Sequence, residues 1–162
     1  MKKIFMMLCV SLLALLGHAQ ILLPNAPAPL RAVVNPEMMI QFNGQRMEIL
    51  ATQRGVRNAA GTYTLSNADA TDVLSRDKLG VAYSYARRGH VLLTGEVSAK
   101  LRTGFQASAL SGLGADIRLL APPDVYILTV STPPAIVSLV KQLQLNPAVE
   151  WVEPFTIQGN IN

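Results

Sequence analysis

Residues 96–154 read EVSAKLRTGFQASALSGLGADIRLLAPPDVYILTVSTPPAIVSLVKQLQLNPAVEWVEP. The stretch opens with a period of two. Val97, Ala99 and Leu101 alternate with Ser98, Lys100 and Arg102, which predicts a half-buried strand. After Thr103-Gly104, the residues Phe105, Ala109, Leu110 and Leu113 stand at helical spacing, and Gly112 and Gly114 predict where that helix stops. ADIRLLA predicts a strand with Ile117 and Leu119 on one face. Pro122-Pro123-Asp124 turns the chain into VYILTV, a mostly apolar, β-branched central strand. Ser131 or Thr132 then caps a helix whose first residue is Pro133, where a missing N–H costs nothing. Ile136, Leu139, Val140 and Leu143 lie at i, i+3, i+4 and i+7 and give that helix one buried face, with Lys141, Gln142 and Gln144 toward water. Asn146-Pro147 ends it, and Val149–Val152 is the last strand, stopped by Glu153-Pro154.

The order is strand, helix, strand, strand, helix, strand, which predicts a ferredoxin-like βαββαβ arrangement within an α+β chain. Right-handed crossovers would put both helices on one sheet face. The other face then has no cover from this half, and either the N-terminal hairpins or a partner must supply it.

Working outward, residues 36–91 predict a β-hairpin-rich N-terminal extension. In MMIQFNGQRMEIL, Asn43-Gly44 sits between two apolar runs, a strong hairpin signal. NAAGTYTLS predicts a strand after a glycine turn. NADATDVLSRDKLG predicts a short helix capped by Asn67 or Asp69, with Val73 and Leu74 inward and Gly80 as its stop. VAYSYA alternates Val81, Tyr83 and Tyr85 against small residues, and Arg87-Arg88-Gly89 turns the chain, with His90 expected in that exposed turn. Residues 20–35, with Pro24, Pro27 and Pro29, read as an extended leader or linker. Residues 92–155 form the second folded region and 156–162 a C-terminal tail.

The first residues have the pattern of a secretory signal peptide, 1–19. Lys2-Lys3 is followed by an apolar run, Ile4–Leu16, too short for the roughly 20 residues that span a bilayer comfortably, then by Gly17-His18-Ala19. An uncleaved anchor helix is the alternative. Cleavage after Ala19 removes the only cysteine, Cys9, and two lysines, so twelve basic residues face ten acidic ones, a net charge of +2. The basic balance belongs in part to the leader, and no clustered basic patch points to nucleic acid. The expected location is periplasmic or secreted, with no membrane association after signal cleavage.

Catalytic chemistry finds little support. A Ser/His/Asp or Cys/His arrangement needs a histidine base, and residues 20–162 hold only His90 and no cysteine. One histidine with scattered aspartates makes no zinc or calcium spacing. Gly112-x-Gly114 is too short for a nucleotide fingerprint. No metal or other cofactor is expected, and the chain reads as a binding protein rather than an enzyme.

EVSAKLRTGF, LGADIRLL, DVYILTV and NPAVEWVEP come in an order and spacing that resembles subtilisin-type serine protease propeptides, over roughly Glu96–Pro154. The VEWVEP run is the most specific piece, and LLTGEV before it resembles the lead-in strand of propeptides with an extra N-terminal β-region. The resemblance implies a chaperone and inhibitor whose open sheet face packs on two protease helices and whose C-terminal tail enters the substrate cleft. It places Asn162 in the primary specificity pocket and Ile161, Asn160 and Gly159 in the next subsites. It makes Glu150, Trp151 and Glu153 the docking face, with a carboxylate capping a protease helix. In that family a catalytic domain usually follows, whereas this sequence ends at Asn162, so the expectation is a stand-alone propeptide-like protein acting on a subtilisin-family protease in trans.

Other readings stay open at this point. The tail reads equally as a disordered terminus. The two glutamates read as solvated strand carboxylates that discourage edge pairing, and Trp151 as core or docking anchor. A periplasmic ferredoxin-like binding or adaptor module with an unrelated protein partner is the main alternative function. An acylphosphatase-like enzyme ranks last, because Arg102 and Gly104 in RTGFQAS make no convincing phosphate cradle.

Overall fold

The computed structural model describes residues 34–157, and these belong to one compact α+β unit dominated by a single antiparallel sheet. The predicted signal peptide, most of the leader, and Gly159, Asn160, Ile161 and Asn162 lie outside the described residues. The strands are β1 (Met39–Phe42), β2 (Gln45–Arg57), β3 (Tyr63–Asn67), β4 (Lys78–Ser84), β5 (Gly89–Leu101), β6 (Asp116–Ala121), β7 (Val125–Thr129) and β8 (Val149–Ile157). The one α-helix among the described residues, α1 (Pro133–Leu145), connects β7 to β8.

The Asn43-Gly44 signal produces the hairpin it predicts. Both residues have positive φ, 46° and 73°, and they join β1 to β2 in a two-residue loop whose twist suits the strands. β2 carries β1 and then β3 along its length, with β4 also paired to it.

β5 organises the rest. Leu92 lies between Val81 of β4 and Ile157 of β8, and Ala99 lies between Tyr126 of β7 and Val152 of β8. One edge of β5 therefore carries β4 and then β7, while β8 follows the other edge. Gly95 makes the handover from β4 to β7 possible. Its φ is 88°, its carbonyl accepts from the Val130 N–H at 2.9 Å, and a Cβ there would lie 2.5 Å from the Val130 carbonyl oxygen. β5 also runs through Val91–Leu92, the join expected between the two regions, so both share this strand.

The last four strands lie in the order β8-β5-β7-β6, every neighbour antiparallel. α1 buries Ile136, Leu139, Val140 and Leu143 as predicted, together with Pro133 and Val137. These pack with Val97, Ala99 and Leu101 of β5, and with Ile40, Phe42, Met47 and Ile49 of β1 and β2, in one core. The helix is thus held from two sides by one curled sheet. Lys141 and Gln144 do not simply face water: they donate to the carbonyls of Glu37 (2.8 Å) and Gln41. Thr132 takes the N-cap position, but its side chain makes no capping hydrogen bond.

Three expected elements differ. Residues 105–113 form no α-helix, only a 3-10 helix at Ala107–Leu110 in which Leu110 alone is buried. Gln106 makes no side-chain cap, Gly104, Gly112 and Gly114 all have positive φ, and the Asn146 amide takes the Ala109 carbonyl at 2.9 Å. One short turn between such residues cannot repay helix nucleation. Residues 67–80 likewise form no helix. Fully buried Arg54 donates to the carbonyls of Asp69, Ala70 and Asp72 at 2.7, 3.4 and 3.0 Å, which diverts the groups a helix would have used. Val73, expected inward, is 62% exposed, while Leu74 packs against the core. Finally, β8 does not stop at Val152 but continues through Pro154 to Ile157. Among the described residues its only ladder is with β5, and proline is tolerated in such an edge strand.

Candidate protein-docking face

In an antiparallel ladder, residues opposite one another share a sheet face. Leu101 opposite Val149 and Ala99 opposite Val152 belong to the core around α1. The alternate pairs, Lys100 with Trp151 and Ser98 with Glu153, therefore face away from the helix. In the same register Val125, Ile127 and Thr129 of β7 and Arg118 of β6 share this outward face. Of the residues expected as a docking face, Trp151 and Glu153 thus lie at the border of the sheet side opposite α1, with Glu150 beside them at the register shift.

Their environments differ. Glu150 sits where the β5–β8 register shifts, and its carboxylate holds the Lys100 ammonium at 2.9 Å. That hydrogen bond and the adjacent negative charge raise the Lys100 pKa above the ordinary lysine value. Glu150 already has an intramolecular partner and would have to surrender it to cap a helix elsewhere. Glu153 is exposed; its backbone carbonyl accepts from Ser98 Oγ at 3.0 Å, which pins the strand while leaving the carboxylate outward. Trp151 is half-buried.

The middle of the face is not an open apolar platform. Ile127, between Arg118 and Ser98 in the register, is 2% exposed, and Arg118 joins Glu96 at 2.8 Å. Apolar exposure lies instead along β8. Pro154 pairs with Val97 on the helix side, so Phe155 points outward after Glu153 and is 37% exposed. Ile157, opposite Leu92, is 40% exposed. Trp151, Glu153, Phe155 and Ile157 form an outward stripe with one carboxylate in it. Neither Phe155 nor Ile157 is expected on the docking face, since Glu153-Pro154 reads as the end of the strand; the alternation W-x-E-x-F-x-I is the sequence signal that carries it on.

Ile157 also lines a cleft of about 470 Å³ together with Arg57, Tyr63, Ser75, Arg76, Leu79, Thr94, Glu96 and Thr129. The cleft lies where β2–β3 and the loop after β3 meet the outward face, so the N-terminal β-region borders the same surface as β8. Arg57 reaches Asp77 only at 3.9 Å, both side chains being well exposed.

His90 is not in an exposed turn. It lies in β5 opposite Tyr83, ring centroids 6.0 Å apart and nearly perpendicular, and its buried Nε2 has no hydrogen-bond partner. Burial lowers its pKa below the ordinary imidazole value. Among the described residues no group of three or more acidic, histidine or cysteine side chains is arranged to hold a metal ion, and no helix is long and apolar enough to cross a membrane. Compared with known proteins, the chain matches no protein family, and no curated protein or solved structure resembles it at a significant level.

Proposed function

We propose that this chain is an exported, propeptide-like chaperone or inhibitor of a subtilisin-family serine protease, acting in trans. Its outward sheet face docks on the protease and its C-terminal residues enter the substrate cleft. The observation that carries this reading is the stripe Trp151, Glu153, Phe155 and Ile157 on an edge strand. It combines an aromatic anchor, further apolar contact area and an unengaged carboxylate on one rigid element, the composition expected of a docking hot spot. The free edge of β8 leads the chain toward Gly159–Asn162, and an extended peptide can pair as a strand along a protease cleft. The order β8-β5-β7-β6, with α1 crossing from β7 to β8, supports the ferredoxin-like arrangement that this reading requires. The first crossover departs from it, carrying a 3-10 helix in place of an α-helix.

The test is inhibition and assisted refolding of a purified subtilisin-family protease by the full chain, by a version ending at Ile157, and by Trp151→Ala. Inhibition that is lost on truncation places the contact in the tail. Inhibition that survives truncation but weakens in Trp151→Ala places it on β8. No inhibition and no assistance with refolding would end the proposal and leave the adaptor reading.

A further inference from the structure

Among the described residues β6 ends the sheet order and pairs only with β7, and all six of its residues are exposed. Ile117 and Leu119, opposite Leu128 and Tyr126, face the α1 side, yet they are 37% and 49% exposed. The helix packs chiefly on β5, β8, β1 and β2. The crossover that would have laid a second helix over this strand is only a 3-10 helix. β6 therefore presents a free backbone edge and an uncovered apolar side together. It contains no proline or lysine; its charges are Asp116 and Arg118, one of each sign, and its ladder to β7 shifts register only at the far end, between Leu119 and Ala121.

We infer that β6 pairs with β6 of a second copy of this chain, antiparallel about a twofold axis through Ile117, to make a sheet continuous across a dimer. Charge selects the occupant and the register. The uncovered sides of both copies stay together only if a residue is centred opposite its own counterpart, because a slip of one residue turns every side chain to the other face. Centring on Asp116 opposes two carboxylates, and centring on Arg118 opposes two guanidinium groups. Centring on Leu119 runs Asp116 against the partner's Pro122, which has no N–H to give. Centring on Ile117 sets Asp116 opposite the partner's Arg118, and does so twice, while Ile117 meets itself and Leu119 meets the partner's Ala115. Arg118 keeps its own Glu96 at 2.8 Å in this arrangement, since a guanidinium has five N–H groups to share. The outward face and β8 stay free, so the pairing does not depend on the function proposed above.

The register makes the test specific. In the full chain with Cys9→Ser, so that no other thiol is present, Ile117→Cys is expected to form an interchain disulfide under mild oxidation. Leu119→Cys is not, because its counterpart lies four residues along the ladder, about 14 Å away. Adding Asp116→Arg to Ile117→Cys should lower the cross-linking rate at least tenfold, and adding Arg118→Asp as well should restore it. Sedimentation equilibrium of the chain without introduced cysteines should show a concentration-dependent dimer whose Kd rises at least tenfold in Asp116→Arg. A monomer at every concentration, equal cross-linking through position 119, or indifference to the charge reversal would each overturn the proposal. Ile117, Leu119 and Asp116 are exposed, so their substitution leaves the fold intact, whereas Arg118→Asp also breaks the surface pair with Glu96; a circular dichroism melt of each variant checks that the fold is retained.

Discussion

Arg54 donates from Nη2 to the Asp69 carbonyl at 2.7 Å, across fifteen residues of chain. The same guanidinium reaches the carbonyls of Ala51, Gln53, Ala70 and Asp72, and the side chain is fully buried. Burial pulls the Arg54 pKa below its ordinary value, while the nearby Asp72 carboxylate opposes that shift. A buried cation is tolerable here because carbonyl dipoles surround it. Its effect is to fasten the loop after β3, which supplies Ser75 and Arg76 to the cleft beside β8.

Arg54→Met should therefore destabilise the protein by about 2–4 kcal/mol, since several carbonyls lose their donor at once. Arg54→Lys should recover less than half of this, because an ammonium cannot reproduce the planar fork. Urea unfolding of the two variants beside the parent protein measures both. Equal stability of all three would show that the carbonyls find other donors.

Gly95→Ala should cost more than Gly104→Ala. Both positions have positive φ, 88° and 92°, so each substitution carries about 1–2 kcal/mol of backbone strain. At Gly104 nothing lies within 4 Å of the added Cβ, whereas at Gly95 it would meet the Val130 carbonyl oxygen at 2.5 Å. Thermal unfolding of the pair isolates the clash from the strain. Equal melting temperatures would mean that β5 does not need its close approach to Val130.

Acid should weaken the fold through His90. Its folded-state pKa is lowered by burial, so the unfolded chain takes up the proton at the higher pH. The associated stability is present above the ordinary imidazole value and is lost as pH falls through it toward the lowered value. The melting temperature is expected to drop from about pH 7.5 to about pH 5, across the ordinary imidazole range, and His90→Gln should flatten that slope. An unchanged slope in the variant would assign the acid sensitivity to other groups.

On the proposed docking face, Trp151→Ala should weaken inhibition of the protease about 30-fold, a loss of roughly 2 kcal/mol. Glu150→Gln should have a smaller effect, because its carboxylate is already committed to Lys100 at 2.9 Å. Leu145→Ala is the control, being 84% exposed at the end of α1, which lies on the other side of the sheet. Inhibition constants for the three variants check the order. A loss at Leu145 equal to that at Trp151 would move the contact to the helix side.

The amino-acid sequence by itself determined the elements whose signals are local. Asn43-Gly44 sets a two-residue turn because both positions need positive φ. Ile136, Leu139, Val140 and Leu143 set the buried side of α1 because helical spacing puts them on one face. Val97, Ala99 and Leu101 set the inward face of β5 by alternation. The expectation of Trp151 and Glu153 on one docking face rests on the family resemblance and not on periodicity, and the ladder to Lys100 and Ser98 puts both on the side opposite the helix. Only the tertiary structure decided the rest, because it turned on partners distant in sequence. Residues 67–80 and 105–113 have helix-like patterns, but Arg54 and Asn146 claim their carbonyls from elsewhere in the chain. Pro154 looks like the end of a strand, yet β8 continues because it lies at an edge and its inward side fits against Val97. Glu150 looks free until Lys100 is brought beside it. Local periodicity specifies which residues share a face; which donors, carbonyls and charges meet across that face depends on chain segments that only folding brings together.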